Sequence, residues 1–276
     1  MQARLVLATL LAVLVGRIVL TYAVFNDTFD EGGHIRGGLE VFQRGTYTHE
    51  AQHPPLGRLV VAALPYFVGG LRLDGRNELW GGGEWATREP AYFWKTLALA
   101  RAGNLLFVVV LLGVVYRWSA ELYGRRAGVA ACLLAACCPN LIAHASLATL
   151  DIGATATTVL AAYCFWRWRG EPGWRACLVS AAAFGAAVLV KISALFFLPP
   201  LLVLFVRRRL RPRQVAALVG LAFVIVWAGY GFQTGIIVPP GHGFVTAYSL
   251  GHQGSAANLL LKTLGPHRLP AHKFVH

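Results

Sequence analysis

Charge is what this chain has least of. Only 13% of its 276 residues are Asp, Glu, Lys or Arg, against about 25% in an ordinary soluble domain. Acid is scarcer than base: twelve Asp and Glu stand beside 25 Lys and Arg, for a net charge of +13. Motifs that cradle nucleotides or present a serine nucleophile are missing. There is no Walker A loop, no GxGxxG and no GxSxG, and Gly81-Gly82-Gly83 runs into Glu84 rather than Lys-Ser/Thr, so it reads as a flexible loop. The five cysteines (Cys132, Cys137, Cys138, Cys164 and Cys177) all lie in apolar runs and none has CxxC spacing. That leaves no disulfide framework and no structural zinc pattern. They read as small apolar helix residues. Internal repeats are not evident either.

Hydrophobic residues make up 57% of the chain, and the mean hydropathy is +0.56. One aqueous core cannot hide that much apolar surface, so lipid must act as solvent. Eight Trp suit interfacial belts. A net positive charge can signal nucleic acid. Here the basic residues form short clusters between apolar runs, which orients a membrane protein and argues against a nucleic-acid partner.

The fold class expected is an all-α integral membrane protein with seven spans. They are Leu5–Phe25, Thr96–Tyr116, Ala127–Ala143, Ile152–Trp166, Ala176–Val190, Ile192–Val206 and Val215–Phe232. Arg4 precedes the first, which reads as a retained anchor rather than a cleaved signal. Ala176–Val206 is too long for one span: its 31 residues make a helix of about 46 Å, against a ~30 Å hydrocarbon core. Arg167, Arg169 and Arg175 lie before it; Arg207, Arg208, Arg209, Arg211 and Arg213 lie after. Both clusters belong on one side, so the chain crosses twice and turns near Lys191. The same parity test places Leu56–Leu71 on the outer surface as an interfacial helix. The N-terminus is then cytoplasmic. Residues 26–95 form a long first outer loop, and 233–276 an outer tail. All nine histidines fall outside, as do all the acidic residues except Glu121 and Glu171. Any site therefore lies on the outer face.

Several residues there carry chemistry. Asp30-Glu31 directly follows the first span, and a carboxylate pair at an interface can serve as general base or metal ligand. The competing reading is a solvated acidic turn ending a helix. Asp30 and His34 share a face if this stretch is helical, which Gly32-Gly33 disfavours. His53 stands before Pro54-Pro55, whose rings fix an extended entry into the next helix. His144 and Asp151 bound the second outer loop, where Asp151 reads equally as a helix N-cap. Arg17, Arg101 and Lys191 lie in or beside apolar segments, where a cation is costly unless paired or near water. Snorkelling accounts for Arg101 and Lys191; an anionic ligand such as a phosphate accounts for all three.

In order, four stretches resemble the GT-C glycosyltransferases that use polyprenol-phosphate sugars, a group including protein O-mannosyltransferases and lipid A aminoarabinose transferases. They are Phe29–Phe67 (with FDEGGH and HPPLG), Glu121–Trp168, Val188–Pro200 (with VLVKIS) and, more weakly, Trp227–Phe232. The resemblance implies sugar transfer from a polyprenyl-phosphate donor to an acceptor hydroxyl by an inverting single displacement. It implies Asp30, with Glu31 beside it, as catalytic carboxylates, and Arg101, Lys191 and Arg17 as donor-phosphate ligands. His34, His53, His144 and Asp151 are further candidate site residues. No cofactor is required, although the carboxylates and histidines admit a divalent metal. The partners implied are the lipid-linked sugar, a protein, lipid or glycan acceptor, and membrane lipids. Relatives continue with more spans, so residues 1–276 read as the N-terminal transmembrane part of such an enzyme.

Two other readings compete. A transporter or flippase would use the same cations and carboxylates, but would place ionisable groups at the midplane with repeat symmetry. A truncated, inactive membrane protein is the third. Topology is directly testable with single cysteines in a background lacking the native five. Glu50→Cys is expected to react with an impermeant maleimide from outside, and Ala120→Cys, Gly170→Cys and Leu210→Cys are not. External labelling at Ala120 or Gly170 would overturn the seven-span arrangement.

Overall fold

The structure is a computed structural model that describes residues 2–47, 49, 53–73, 90–197, 211–236 and 268–270. Among these, ten helices dominate. They are α1 (Gln2–Leu20), α2 (Phe29–Arg44), α3 (Pro55–Phe67), α4 (Pro90–Gly103), α5 (Leu105–Tyr123), α6 (Arg125–Cys137), α7 (Pro139–Ala145), α8 (Asp151–Gly170), α9 (Trp174–Val190) and α10 (Pro212–Gly229). A short antiparallel pairing joins β1 (Thr234–Ile236) to β2 (Arg268–Pro270). The all-α expectation therefore holds apart from this pairing.

Two stretches are long and apolar enough to cross a membrane, Tyr92–Tyr123 and Pro212–Gly229. Helices α6 and α7 would make a third if counted as one bent span. Leu5–Leu20, α3 and α9 are apolar but shorter. The count of spans by length and composition among the described residues is thus two or three. Much of the expected span Ile192–Val206, and most of the tail 233–276, lie outside the described residues.

Several boundaries differ from the sequence reading, each for a local reason. The expected span Thr96–Tyr116 is two helices, α4 and α5, meeting at Asn104. Asn104 Nδ2 donates to the carbonyls of Leu147 (2.7 Å) and Thr149 (2.9 Å), so its side chain serves another loop. The expected span Ala127–Ala143 bends by 64° between α6 and α7. Pro139 has no N–H to continue the ladder, and Cys138 before it is extended (φ −70°, ψ 115°). Phe29–Arg44 is one continuous helix despite Gly32-Gly33. Thr28-Phe-Asp-Glu31 has the spacing of a capping box, and the Thr28 N–H donates to Glu31 Oε2 (2.8 Å).

Helix α3 covers most of the expected interfacial segment Leu56–Leu71. It packs between α2 and α4 and also touches α9, burying Gly57, Arg58, Val61, Ala62 and Pro65. Its closeness to α2 depends on Gly37 and Gly38. A Cβ at Gly38 would meet the Arg58 carbonyl oxygen and lie 2.5 Å from Ala62 Cβ. Helix α9 lies between α8 and α10, and α5 packs on α6 and α8. One apolar cluster joins Leu14 and Ile18 of α1 to Phe107, Val108 and Leu111 of α5 and Ile152 and Ala156 of α8. A second joins Ile35 and Leu39 of α2 to Val61 and Ala62 of α3 and Ala100 of α4.

This packing generates a prediction. Gly38→Ala meets backbone that cannot rotate away, and is expected to destabilise by about 1–3 kcal/mol, the usual cost of overpacking. Gly16→Ala meets nothing within 4 Å and is expected to be neutral or to stabilise by up to ~1 kcal/mol. Thermal unfolding of the two detergent-solubilised variants checks the contrast; equal midpoints would show that α2 and α3 do not need the glycine.

Candidate functional site

The candidate residues singled out from sequence come from four segments. Helix α2 supplies Asp30, Glu31 and His34. The chain entering α3 supplies His53. The α7–α8 connection supplies His144 and Asp151. The residue that ends α9 is Lys191, in extended conformation (φ −152°, ψ 125°).

Glu31 is the node. It is fully buried. Its Oε1 accepts from Arg101 Nε (2.8 Å) and from the Ala148 N–H (2.7 Å). Its Oε2 accepts from Arg101 Nη2 (3.0 Å) and the Thr28 N–H (2.8 Å). One carboxylate thus caps α2, pairs with α4 and pins the loop before α8. Arg101 is equally committed. Its Nη1 donates to the carbonyls of Tyr22 and Phe25, both at 3.0 Å, and its Nη2 to Asn26 at 2.8 Å. Together with the two bonds to Glu31, all five guanidinium N–H groups are occupied. Snorkelling does not describe this side chain, which has 0% exposure.

Asp30 lies one residue earlier and is exposed. Among the described residues none hydrogen-bonds to its carboxylate, in contrast to Glu31. His34, one turn on, is buried, and its ring meets that of His53 edge-to-face with centroids 5.0 Å apart.

Asp151 is not an N-cap. It is the first residue of α8, Leu150 holds the cap position, and no side-chain cap bond forms there. Instead Asp151 Oδ1 accepts from Lys191 Nζ at 2.6 Å, and Oδ2 lies 3.4 Å from His144 Nδ1. Burial is the largest single influence on this carboxyl and raises its pKa. The hydrogen bond and charge of Lys191, with the charges of His144 and His34, outweigh it and hold the group below the usual carboxylate range. Arg17 stands apart from this cluster. It is exposed near the end of α1, and its Nη1 donates to the Ala136 carbonyl at 3.2 Å. Ala136 is in the last turn of α6, where carbonyls lack helical partners and a cation is favourable.

Sequence reasoning did not single out Glu40, Arg58 or Asn104 for the site. Glu40 and Arg58 are both buried and grip the backbone of one residue of the α2–α3 loop from either side. The His49 N–H donates to Glu40 Oε2 (2.8 Å), while Arg58 Nη1 donates to the His49 carbonyl (2.7 Å). This fixes the backbone of His49, four residues before His53. The Tyr47 hydroxyl of the same loop donates to the Gly229 carbonyl (3.1 Å), tying it to the end of α10. Burial raises the Tyr47 pKa, against the opposing charge of Arg58. The available signal was an acid in α2 and a base in an apolar helix, each costly inside unless partnered. Among the described residues, no group of three or more His, Cys, Asp and Glu side chains is placed to hold a metal ion.

Residues 92–230 match the family model described as dolichyl-phosphate-mannose-protein mannosyltransferase. The match contains Arg101, His144, Asp151 and Lys191; Asp30, Glu31, His34 and His53 precede it. A comparison with curated proteins finds no match. The match spans half of the sequence and coincides with apolar helices: the chain belongs to the dolichyl-phosphate-mannose-protein mannosyltransferase family, of GT-C type.

Proposed function

We propose that the chain transfers a sugar from a polyprenyl-phosphate donor to an acceptor hydroxyl of a protein, lipid or glycan, at the outer membrane interface. The observation that carries this reading is the division of labour at Asp30-Glu31. Glu31 is spent on holding three segments together, which leaves Asp30 as the carboxylate able to meet a substrate. Glu31 also links the two halves of the site, since it fixes both α2 and the loop leading to Asp151.

In this mechanism the acceptor oxygen attacks the anomeric carbon, and its proton passes to the Asp30 carboxylate. The bond between the anomeric carbon and the phosphate oxygen breaks, and the electron pair leaves with the phosphate. One displacement inverts the anomeric centre. Phosphate is a competent leaving group and needs nearby positive charge more than a general acid. Lys191 is the cation assigned to it, because its side chain is 32% exposed. Arg101 is reassigned from phosphate ligand to positioning residue, since every donor it has is already engaged. Arg17 remains a second candidate cation. The seven-span topology that we propose, with a cytoplasmic N-terminus, would set Asp30, Arg101 and Lys191 on the outer side, where the lipid-linked sugar enters from the bilayer.

The two carboxylates are separable by experiment in membranes supplied with a labelled polyprenyl-phosphate mannose. Asp30→Asn is expected to lose about 10²–10⁴ in turnover, the usual worth of a general base, with thermal stability unchanged. Glu31→Gln leaves a buried guanidinium without its counter-charge and is expected to destabilise by roughly 3–5 kcal/mol. Near-normal turnover in Asp30→Asn would remove it as the base. A stable Glu31→Gln protein with abolished turnover would transfer the role to Glu31.

A further inference from the structure

Lys191 is held in an ion pair. Asp151 holds it at 2.6 Å, and His144 stands 3.4 Å from the other carboxylate oxygen. The three side chains come from the end of α9, the start of α8 and the last turn of α7. All three keep access to solvent, with 32%, 40% and 54% of the Lys191, Asp151 and His144 side chains exposed. The chain therefore contains two very different ion pairs. Glu31–Arg101 has 0% exposure on both sides, and separating it would strand charges in a low-dielectric interior. Lys191–Asp151 is open to solvent, and such pairs are weak and exchange partners readily.

The charge balance of transfer gives this openness a use. The donor is a phosphodiester with one negative charge. Once the sugar has left, the carrier is a phosphate monoester with about −1.5 to −2 at pH 7. An uncompensated lysine would hold the spent carrier more tightly than the fresh donor, and release would be slow. A carboxylate beside the lysine opposes the more charged product more strongly than the substrate.

We propose that Asp151 is a displaceable counter-anion of the donor site. It occupies Lys191 when no phosphate is present, shifts toward His144 when the phosphate arrives, and competes for Lys191 again to expel the spent carrier. His144 is the receiving partner, because it already faces the second carboxylate oxygen. This rests on the assignment of Lys191 to the phosphate.

The test is equilibrium binding of a short-chain polyprenyl monophosphate to the purified full chain in nanodiscs. Asp151→Asn removes the competing charge and is expected to tighten binding about tenfold, the scale of one like charge a few ångströms away under partial screening. Lys191→Ala is expected to weaken binding at least as much, and Asp151→Asn to have no further effect on that background. His144→Gln removes the receiving partner, keeps Asp151 on Lys191 and is expected to weaken binding a few-fold. Weaker or unchanged binding in Asp151→Asn, with binding lost in Lys191→Ala, overturns the counter-anion and leaves Lys191 as phosphate ligand. Unchanged binding in Lys191→Ala overturns that assignment and the counter-anion with it. If Asp151→Asn does not fold, the exposed His144→Gln decides alone: tighter or unchanged binding sinks the proposal.

Discussion

The buried ion pair between Glu31 and Arg101 is the constraint on which the candidate site depends. Two charges with 0% exposure are tolerable only because every polar atom is matched. The matching partners are structural ends: the start of α2, the carbonyls that follow α1, and the Ala148 N–H in the α7–α8 connection. Each would otherwise be an unsatisfied backbone group near lipid, where such groups cost several kcal/mol. The pair converts three loose ends into one frame. Asn104 extends the frame by holding the carbonyls of Leu147 and Thr149 from the α4–α5 break.

The chemistry sits on the edge of that frame. Asp30 is carried by the helix turn that Glu31 caps, and Asp151 follows the loop that Glu31 pins. Neighbouring carboxylates on α2 thus have opposite fates, one buried and saturated, the other exposed. The same contrast separates the two cations. Arg101 offers a planar fork of five donors and suits a buried site where each must be matched; Lys191 is a compact charge on a flexible stem and suits a site where partners change. The residue types chosen at the two positions agree with a locked pair and an openable one.

Much of this was legible in the sequence. Scarce charge and long apolar runs pointed to lipid as the solvent, and the expected topology grouped the His and most of the acidic residues together. Asp30, His34, His53, His144, Asp151 and Lys191 were all marked by residue type and position. What sequence could not rank was which of these groups would be consumed internally. Arg101 reads as a cation beside an apolar run whether it meets a lipid phosphate or three carbonyls and a carboxylate. Glu40 and Arg58 look like ordinary helix residues until Gly37 and Gly38 bring α2 and α3 close enough to bury both.

The sequence by itself determined the solvent, the helical class and the family, because these follow from composition and from the order of short motifs along the chain. Local breaks were also written there, in Pro139 and in the two prolines before α3. Tertiary structure alone decided which charge is paired with which. An ion pair across 70 positions, such as Glu31 with Arg101, leaves no periodic trace in sequence. Its partners are selected by whichever termini the packing brings within about 3 Å, the reach of a hydrogen bond.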